Sequence, residues 1–242
     1  MSSFKAKVHE LCGEVVSEFP GWSFASGVFK NKTLKHTNLA IGPGFSFRDG
    51  NTSLQPALVI EHKKSMAMFK KLIGYDQPTS IVPFQNVAQL LQHTPQELRL
   101  GGWILEDKNL QMTVAPPSET ARHRMIDLAE ARSVLRAVIM DGIALIGALY
   151  DLSSEDNLLR SLPPKYNTRA STIPYDEFER NKGVMMCIVR ALAGDFDFAE
   201  SYRSDSYQTV FPKRIKEIDN VIAALPELKR LYGETHKPGH DG

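Results

Sequence analysis

One charged pair in the sequence has the types and spacing of a metal-dependent active site. Glu61 and Lys63 follow the apolar run at residues 57–60 and stand two positions apart. Alternate residues of a strand share a face, so a strand through this run would present the carboxylate and the ammonium side by side. A carboxylate can hold Mg²⁺ while a neighbouring ammonium polarises a water molecule or a phosphate. Glu61 and Lys63 are therefore the candidate catalytic pair.

The run Val59-Ile60-Glu61-His62-Lys63 resembles the central strand of the restriction-type nuclease fold, and this resemblance implies a metal-dependent nuclease. That fold also needs an acidic residue on the preceding strand. Residues 21–48 contain no acid. Asp49 falls in the predicted turn Asp49-Gly50-Asn51, roughly 25–30 Å from Glu61 at ~3.3 Å per residue. The acids that could substitute lie on the first predicted helix, and they are Glu10, Glu14 and Glu18.

Basic residues cluster near aromatic ones, which is typical of grooves that bind nucleic acid. The first cluster flanks a predicted turn near Phe29, Phe45 and Phe47, and the second flanks the helix expected at residues 65–73. The net charge of +1, from 29 basic and 28 acidic residues, argues against bulk electrostatic attraction to nucleic acid or to a membrane. The candidate binding residues are Lys30, Lys32, Lys35, Lys64 and Arg169.

Other catalytic and metal-binding patterns are missing from the sequence. No nucleophile motif of the Gly-x-Ser-x-Gly type is present, and no two histidines before the tail have the spacing of a metal-binding helix. The histidines that a zinc site could combine are His9, His62 and His123. Cys12 and Cys187 stand beside apolar residues, which indicates buried free thiols. We therefore expect no metal and no cofactor.

The first half of the chain is predicted to be a mostly antiparallel sheet with a covering helix. Apolar residues at helical spacing predict an amphipathic helix that ends at Pro20-Gly21. The stripe is Phe4, Val8, Leu11, Cys12, Val15, Val16 and Phe19. Strands are expected at residues 22–29, 36–47, 54–60, 98–106 and 110–114, and a helix at residues 65–73. Turns are expected at Asn31-Lys32 and Asp49-Gly50-Asn51, and a bulge or bend at Gly42-Pro43-Gly44.

Pro116-Pro117 is predicted to separate this half from an all-helical second half. Ser118 is a good N-cap for a long helix to about residue 152, apolar enough to pack on the sheet. Shorter helices follow, one of them kinked at Pro226, with a loop at residues 163–174. The expected parts are residues 1–117, residues 118–233 and a disordered tail at 234–242, the first two forming one continuous α+β fold.

The run Ala193-Gly194-Asp195-Phe196, followed by Ala199, resembles the turn of one tetratricopeptide-type helical hairpin. In such hairpins Gly-Asp-aromatic closes the first helix, and a small residue lets the second helix pack closely. The likeness covers residues 187–202 and has no second copy, whereas stacked arrays need about three repeats. The resemblance implies the geometry of a helical hairpin and not the peptide-binding function of an array.

The absence of a coherent catalytic set favours a non-catalytic protein-interaction module, such as a bacterial-type immunity, inhibitor or adaptor protein. Its partner would be another protein, and the loop at 163–174, with Arg169, would be a contact segment. Two alternatives stay open: a restriction-type nuclease using Glu61 and Lys63, and a nucleic-acid-binding protein without chemistry. The sequence contains neither a signal-peptide pattern nor an apolar run of about 18 residues, so we expect a cytoplasmic protein without a membrane segment.

Overall fold

The computed structural model describes seven stretches of the chain, with the backbone alone at 177–180. They are residues 3–48, 50–76, 81, 103–108, 125–162, 177–204 and 213–233. These residues belong to two compact units, each assembled from two parts of the chain. The first unit comprises Met1–Val59 and Phe84–Leu149, and the second comprises Ile60–Pro83 and Tyr150–Gly242. The boundary expected at Pro116-Pro117 and the tail at 234–242 lie outside the described residues and stay predictions.

The protein is an α+β protein with mostly antiparallel sheets, as the sequence predicts. One sheet has the strand order β1-β2-β3-β6, and the other has the order β4-β5-β7-β8. The strands are β1 Trp22–Ala25, β2 Val28–Asn31, β3 Thr37–Gly42, β4 Ser46–Arg48, β5 Asn51–Leu54, β6 Ala57–His62, β7 Trp103–Glu106 and β8 Met125–Asp127. Among the described strands, the pairs β1–β2, β2–β3, β4–β5 and β5–β7 are antiparallel, and the pair β7–β8 is parallel. The expected strand at 110–114 lies outside the described residues.

The helices of the described residues divide between the two units. Helix α1 (Phe4–Val16) and helix α3 (Ala131–Leu149) belong to the first unit. The helices of the second unit are α2 (Lys63–Ile73), α4 (Glu155–Ser161), α5 (Glu177–Leu192), α6 (Phe198–Ser204) and α7 (Ile215–Tyr232). No helix among the described residues is both long and apolar enough to cross a membrane.

The strand predicted at 22–29 is wrong, because the chain turns back at Ser26-Gly27. Both residues have positive φ angles, 54° and 78°, which is the conformation of a two-residue type I′ hairpin turn. The turn pairs Phe24 with Phe29 and Ala25 with Val28. Its glycine supplies the left-handed backbone at no steric cost, so Ser-Gly is the turn signal here. The turn expected at Asn31-Lys32 falls where β2 ends, and the Asn31 side-chain oxygen accepts a hydrogen bond from the Thr33 N–H at 2.8 Å.

The strands predicted at 36–47 and 54–60 are each divided between the two sheets. The division occurs at Pro43-Gly44 on one strand and at Gln55-Pro56 on the other. These two crossings touch, because the Gln55 N–H donates a hydrogen bond to the Pro43 carbonyl at 2.8 Å. A side chain at Gly44, whose φ is 68°, would lie 2.3 Å from the Gln55 carbonyl oxygen. Glycine is therefore required where the chain changes sheet, while the predicted turn at Gly50 does join β4 to β5.

The long helix predicted from Ser118 to about residue 152 is wrong at its start. Residues 125–127 form β8, which lies parallel to β7, and α3 begins only at Ala131. The Asp127 carboxylate accepts a hydrogen bond from the Ala129 N–H at 3.0 Å, and this side chain stabilises the turn between strand and helix. The apolar residues around Ile126 fit a helical period, but their backbone pairs with a strand that is distant in sequence.

Helices α1 and α3 pack together in the core of the first unit. Val8, Cys12, Leu135 and Ile139 are fully buried between these elements and the sheets. At the solvent-exposed edge of the interface between α1 and α3, arginines of α3 form ion pairs with glutamates of α1. The ion pairs are Arg132 with Glu14 at 3.0 Å, Arg132 with Glu18 at 3.0 Å and Arg136 with Glu18 at 2.9 Å. Hydrogen bonds from the two arginines lower the pKa of the exposed Glu18 carboxyl.

Lys7→Met is expected to destabilise the first unit by about 1–2 kcal/mol, because it removes the cation beside a buried carboxylate. The Lys7 ammonium lies 2.6 Å from the Asp107 carboxylate, whose side chain is only 5% exposed. Lys108→Met is the matched control, since Lys108 is an exposed lysine 3.4 Å from Asp127 and should change stability by less than about 0.5 kcal/mol. Urea denaturation measures both changes, and equal effects would show that the burial of Asp107 does not matter.

The second unit packs its helices around α5. Residues 184–189 of that helix are all buried. Helix α5 ends in a Schellman motif, in which the Asp195 N–H donates to the Arg190 carbonyl at 2.9 Å and Gly194 has a φ of 87°. Ala199 of α6 is buried after this turn, so a helix–turn–helix is present, while its likeness to a tetratricopeptide hairpin stays a prediction. Helix α7 runs through Pro226, where the sequence predicts a kink.

Candidate functional site

The candidate catalytic pair lies where β6 passes into α2. Glu61 is half-buried on β6, but the strand ends at His62, and Lys63 is the first residue of α2 and exposed. His62 fixes this change of structure. Its ring is buried, and its Nδ1 atom accepts a hydrogen bond from the Ser65 N–H at 3.3 Å as the N-cap of α2. The expected alternation of Glu61 and Lys63 along one strand therefore does not occur.

The acids that the sequence offers to complete a metal site with Glu61 either belong to the first unit or lie outside the described residues. Asp49 is not among the described residues. Glu10, Glu14 and Glu18 belong to the first unit, whereas Glu61 belongs to the second. Within the described stretches, no three side chains of the histidine, cysteine, aspartate or glutamate type are grouped so that they could hold a metal ion. A nuclease role for Glu61 and Lys63 stays a prediction.

The candidate binding lysines belong to different units. Lys30 lies on β2 opposite Ser23 and Ala40, so it points to the sheet face opposite to Phe29. Lys32 and Lys35 are exposed in the connection from β2 to β3, and all three lysines belong to the first unit. Lys64 is exposed on α2 of the second unit. Arg169 and the contact loop expected at 163–174 lie outside the described residues.

The two cysteines are buried free thiols, as the sequence predicts. Burial raises the pKa of Cys12 and that of Cys187 to about 12 each, since a thiolate would be poorly solvated in either core. A thiol with so high a pKa is almost fully protonated at neutral pH and is a poor nucleophile.

An open cavity of about 680 Å³ lies in the first unit, and we call it the aromatic basin. Three pieces of the chain line it. Helix α1 contributes Lys5 and His9, the β1–β2 hairpin contributes Phe24 and its tip at 25–28, and the segment before and within β4 contributes Gly44, Phe45 and Phe47. The side chains of His9 and of the three phenylalanines are all half-buried, so each ring keeps part of its surface open to solvent.

The rings of the aromatic basin hold each other in place. The His9 ring lies edge-on to Phe24 and to Phe47, with centroid distances of 5.3 Å and 5.5 Å. Phe45 lies 5.3 Å from Phe47 at an interplanar angle of 47°. Phe24 rests in turn on the fully buried Phe29 at 5.2 Å. Edge-to-face and tilted pairs at these distances are favourable, so the basin is preformed by side-chain packing.

The charge of the aromatic basin is positive. The Lys5 ammonium lies 5.6 Å from the centroid of the Phe47 ring, at the distance of a cation–π contact. None of the described residues that line the basin is acidic, and Glu10, which follows His9, is not one of them. The basin can therefore accommodate an apolar or aromatic group beside a negative charge.

The sequence identifies part of the basin and misses the rest. Phe45 and Phe47 are expected near a binding surface, whereas Phe29 is a core residue that supports Phe24. Lys5, His9 and Phe24 are missed. The signal for the first two is their spacing, because residues four apart on a helix are neighbours on one face. Phe24 can be placed only once the Ser26-Gly27 turn is recognised.

A smaller cavity, of about 250 Å³, lies in the second unit. It combines the charged side chains of Lys64, Glu155 and Asp156 with leucines and with the buried ring of His62. Lys64 is thus placed at a cavity whose charged side chains have both signs and whose lining includes the aromatic ring of Tyr232. Phe29, Phe45 and Phe47, the rings expected near the lysines, belong to the first unit.

Comparison of the chain with protein families, with characterised proteins and with solved structures gives no significant match.

Proposed function

We propose that this protein is a non-catalytic interaction module of the bacterial immunity, inhibitor or adaptor type, and that the aromatic basin is its docking site. The observation that carries the proposal is the cluster of partly exposed rings around an open cavity. Exposed apolar surface of this kind marks interaction sites. The partner in this proposal is another protein, and the cytoplasmic location expected from the sequence is part of it.

The energy available in the basin is sufficient for a docking site. A phenylalanine side chain contributes roughly 200 Å² of surface, so covering a quarter of one side chain is worth about 1 kcal/mol at ~25 cal/mol/Å². Three phenylalanines of the basin are partly exposed. Because the rings already pack against each other, a partner would not have to order them, and less of this energy would be lost on binding.

One observation supports nucleic-acid binding without chemistry as a second candidate. The lining of the basin is aromatic and contains a lysine but no acid among its described residues. Aromatic side chains with basic neighbours are the usual site for single-stranded bases. The restriction-type nuclease using Glu61 and Lys63 is the remaining hypothesis, and it predicts Mg²⁺-dependent cleavage that Glu61→Ala abolishes.

The proposal is tested by isolating the protein from its native source with its partner, and rebuilding the complex from purified components. Phe45→Ala is expected to weaken the rebuilt complex by at least about tenfold, which corresponds to ~1.4 kcal/mol. Leu149→Ala is the matched control, because Leu149 is an exposed apolar residue of the same unit outside the basin. A complex of unchanged affinity in Phe45→Ala would refute the basin as the docking site.

A further inference from the structure

We infer that the segment bound in the aromatic basin is an extended, acidic peptide with one aromatic anchor, and that its backbone pairs with the outer edge of β1. This inference rests on the proposed function and adds the chemical class of the partner segment. It is carried by the position of β1 in its sheet, by the hydrogen-bonding register of the hairpin and by the charge of the basin.

The basin is lined from the outer strand of each sheet. β1 stands first in the order β1-β2-β3-β6, and β4 stands first in the order β4-β5-β7-β8. Each therefore has one strand neighbour among the described strands. Phe24 belongs to β1 and Phe47 to β4, and both line the basin. An outer strand presents backbone donors and acceptors to which an extended peptide can add as a further strand.

The register of the hairpin shows which backbone groups point outward. Ala25 and Val28 flank the two-residue turn, so they form the hydrogen-bonded pair next to it. Pairs alternate along the hairpin, and the next pair, Phe24 with Phe29, is of the non-hydrogen-bonded kind. The N–H and C=O of Phe24 thus point away from β2, and the described residues supply no hydrogen-bond partner for them.

The start of β1 agrees with this register. Trp22, two residues before Phe24, directs its backbone to the same outer side, and its N–H donates to the Phe19 carbonyl at 3.1 Å. The chain itself thus supplies the hydrogen-bond acceptor for the outward N–H of Trp22. At Phe24, which lines the basin, the backbone of a bound peptide would supply the hydrogen-bond partners for the outward N–H and C=O.

The charge of the basin and its surroundings selects an acidic segment. Lys5 is the charged residue at the rings, and residues 21–48, which include the whole β1–β2 hairpin, contain no acid. Lys30 lies on the sheet face opposite to Phe24 and Phe29, and neither Lys32 nor Lys35 lines the basin, so Lys5 is the cation at the rings. Carboxylates that flank the anchor residue would meet Lys5 and no acid of the hairpin, while basic flanks would be repelled by Lys5.

The same geometry favours a peptide over a single strand of nucleic acid. Successive bases need open ring faces and a track of cations that follows the phosphates. The phenylalanines of the basin instead pack edge-on or tilted against their neighbours, at interplanar angles from 47° to 72°. Only one cation lies among the lining residues described, and the net charge of the chain is +1. One aromatic anchor fits this arrangement better than a stack of bases.

The experiment measures binding of the intact protein to a fluorescein-labelled peptide in which one tryptophan is flanked by glutamates. Saturable binding is expected, and it should weaken at least about tenfold when the tryptophan is replaced by alanine or the glutamates by lysines. Phe45→Ala and Lys5→Glu should each weaken it by at least about fivefold. Lys216→Glu makes the same change of charge at an exposed lysine that does not line the basin, and it should leave the affinity within about twofold.

Backbone methylation distinguishes strand addition from side-chain contact alone. A strand offers alternate N–H groups to one neighbour, so methylating one alternate set of peptide nitrogens should abolish binding, and methylating the other set should not. Equal tolerance of both sets would refute pairing with β1. Tighter binding of oligothymidylate at the same site would refute the peptide and favour nucleic acid.

The outcomes separate this inference from the proposed function. If a native complex depends on Phe45 but the acidic peptide does not bind, the inference fails and the docking site stands. If neither the native complex nor the peptide depends on Phe45, both fail. Circular dichroism shows whether Phe45→Ala and Lys5→Glu are folded. Their spectra should match that of Leu149→Ala, which changes an exposed residue of the same unit.

Discussion

Replacing Gly142 by alanine is expected to destabilise the first unit by about 2–3 kcal/mol, although alanine is the better helix former. Gly142 lies in the middle of α3, where glycine normally costs a helix about 1 kcal/mol relative to alanine. A Cβ atom at this position would lie 2.4 Å from Cδ1 of Ile41 and 2.7 Å from its Cγ1. Favourable carbon contacts are roughly 3.5–4.0 Å, so helix and strand would have to separate.

The environment of Ile41 decides the sign of this effect. Ile41 is fully buried on β3, so its side chain cannot move away from Gly142 without displacing other core residues. The gain in helix propensity is therefore smaller than the strain of overpacking. The absence of a side chain at Gly142 is what lets α3 approach Ile41 of β3 closely.

Gly147→Ala is the matched control on the same helix. Gly147 is exposed near the end of α3, and a Cβ atom added there would have no neighbouring atom within 4 Å. Alanine there should stabilise the unit by about 0.5–1 kcal/mol. Both tryptophans, Trp22 and Trp103, belong to the first unit, so their fluorescence in urea reports its unfolding for both variants.

A second substitution tests the cause of the strain. In an Ile41→Val background the Cδ1 atom is gone, and Gly142→Ala should then be less destabilising by about 1 kcal/mol. If Gly142→Ala has the same effect in both backgrounds, contact with Ile41 is not its cause. If Gly142→Ala is as stabilising as Gly147→Ala, α3 does not pack on β3 as closely as described.

The sequence predicts features that depend on local patterns and misses those that depend on distant partners. The stripe of α1, the N-cap of α4 at Ser154 and the C-terminal glycine of α5 are all predictable from neighbouring residues. Strand β8 is not, because its residues fit a helical period and become a strand only by pairing with β7. The two crossings between sheets resemble simple bends in the sequence, since the contact of Gly44 with Gln55 joins residues of different strands.

The residues of the candidate site are likewise partly predictable from local sequence and partly dependent on distant packing. Phe45 and Phe47 are recognisable as aromatic residues near lysines, which is a matter of composition. Lys5 and His9 come from α1 and join them only when α1 packs beside the hairpin. The pairing of Glu61 with Lys63 assumes that the strand continues, but the buried N-cap at His62 begins a helix there. A cap of this kind is unusual for histidine, so residue preferences alone do not reveal it.

Pro226→Ala is expected to stabilise the second unit by about 2 kcal/mol. Pro226 lies inside α7, where it has no N–H to donate to the carbonyl of Ile222, four residues earlier. A proline in a helix interior costs about 3 kcal/mol relative to alanine, and roughly 0.4–1 kcal/mol of this is offset because proline restricts the unfolded chain. Pro226 is exposed, so alanine there removes little buried contact.

Pro20→Ala is the control that separates the effect of proline on helix α7 from its effect on the unfolded chain. Pro20 is also exposed, but it lies in the turn between α1 and β1, so its loss should destabilise the protein by about 0.5 kcal/mol through the unfolded chain alone. Hydrogen exchange at the amides of α7, followed by mass spectrometry, measures the local effect. Slower exchange in α7 of Pro226→Ala is expected, with no change in α1. Faster exchange would mean that the unit needs the helix distorted at this point, because Val221, Leu225 and Leu228 are its buried face and their packing would then depend on the bend.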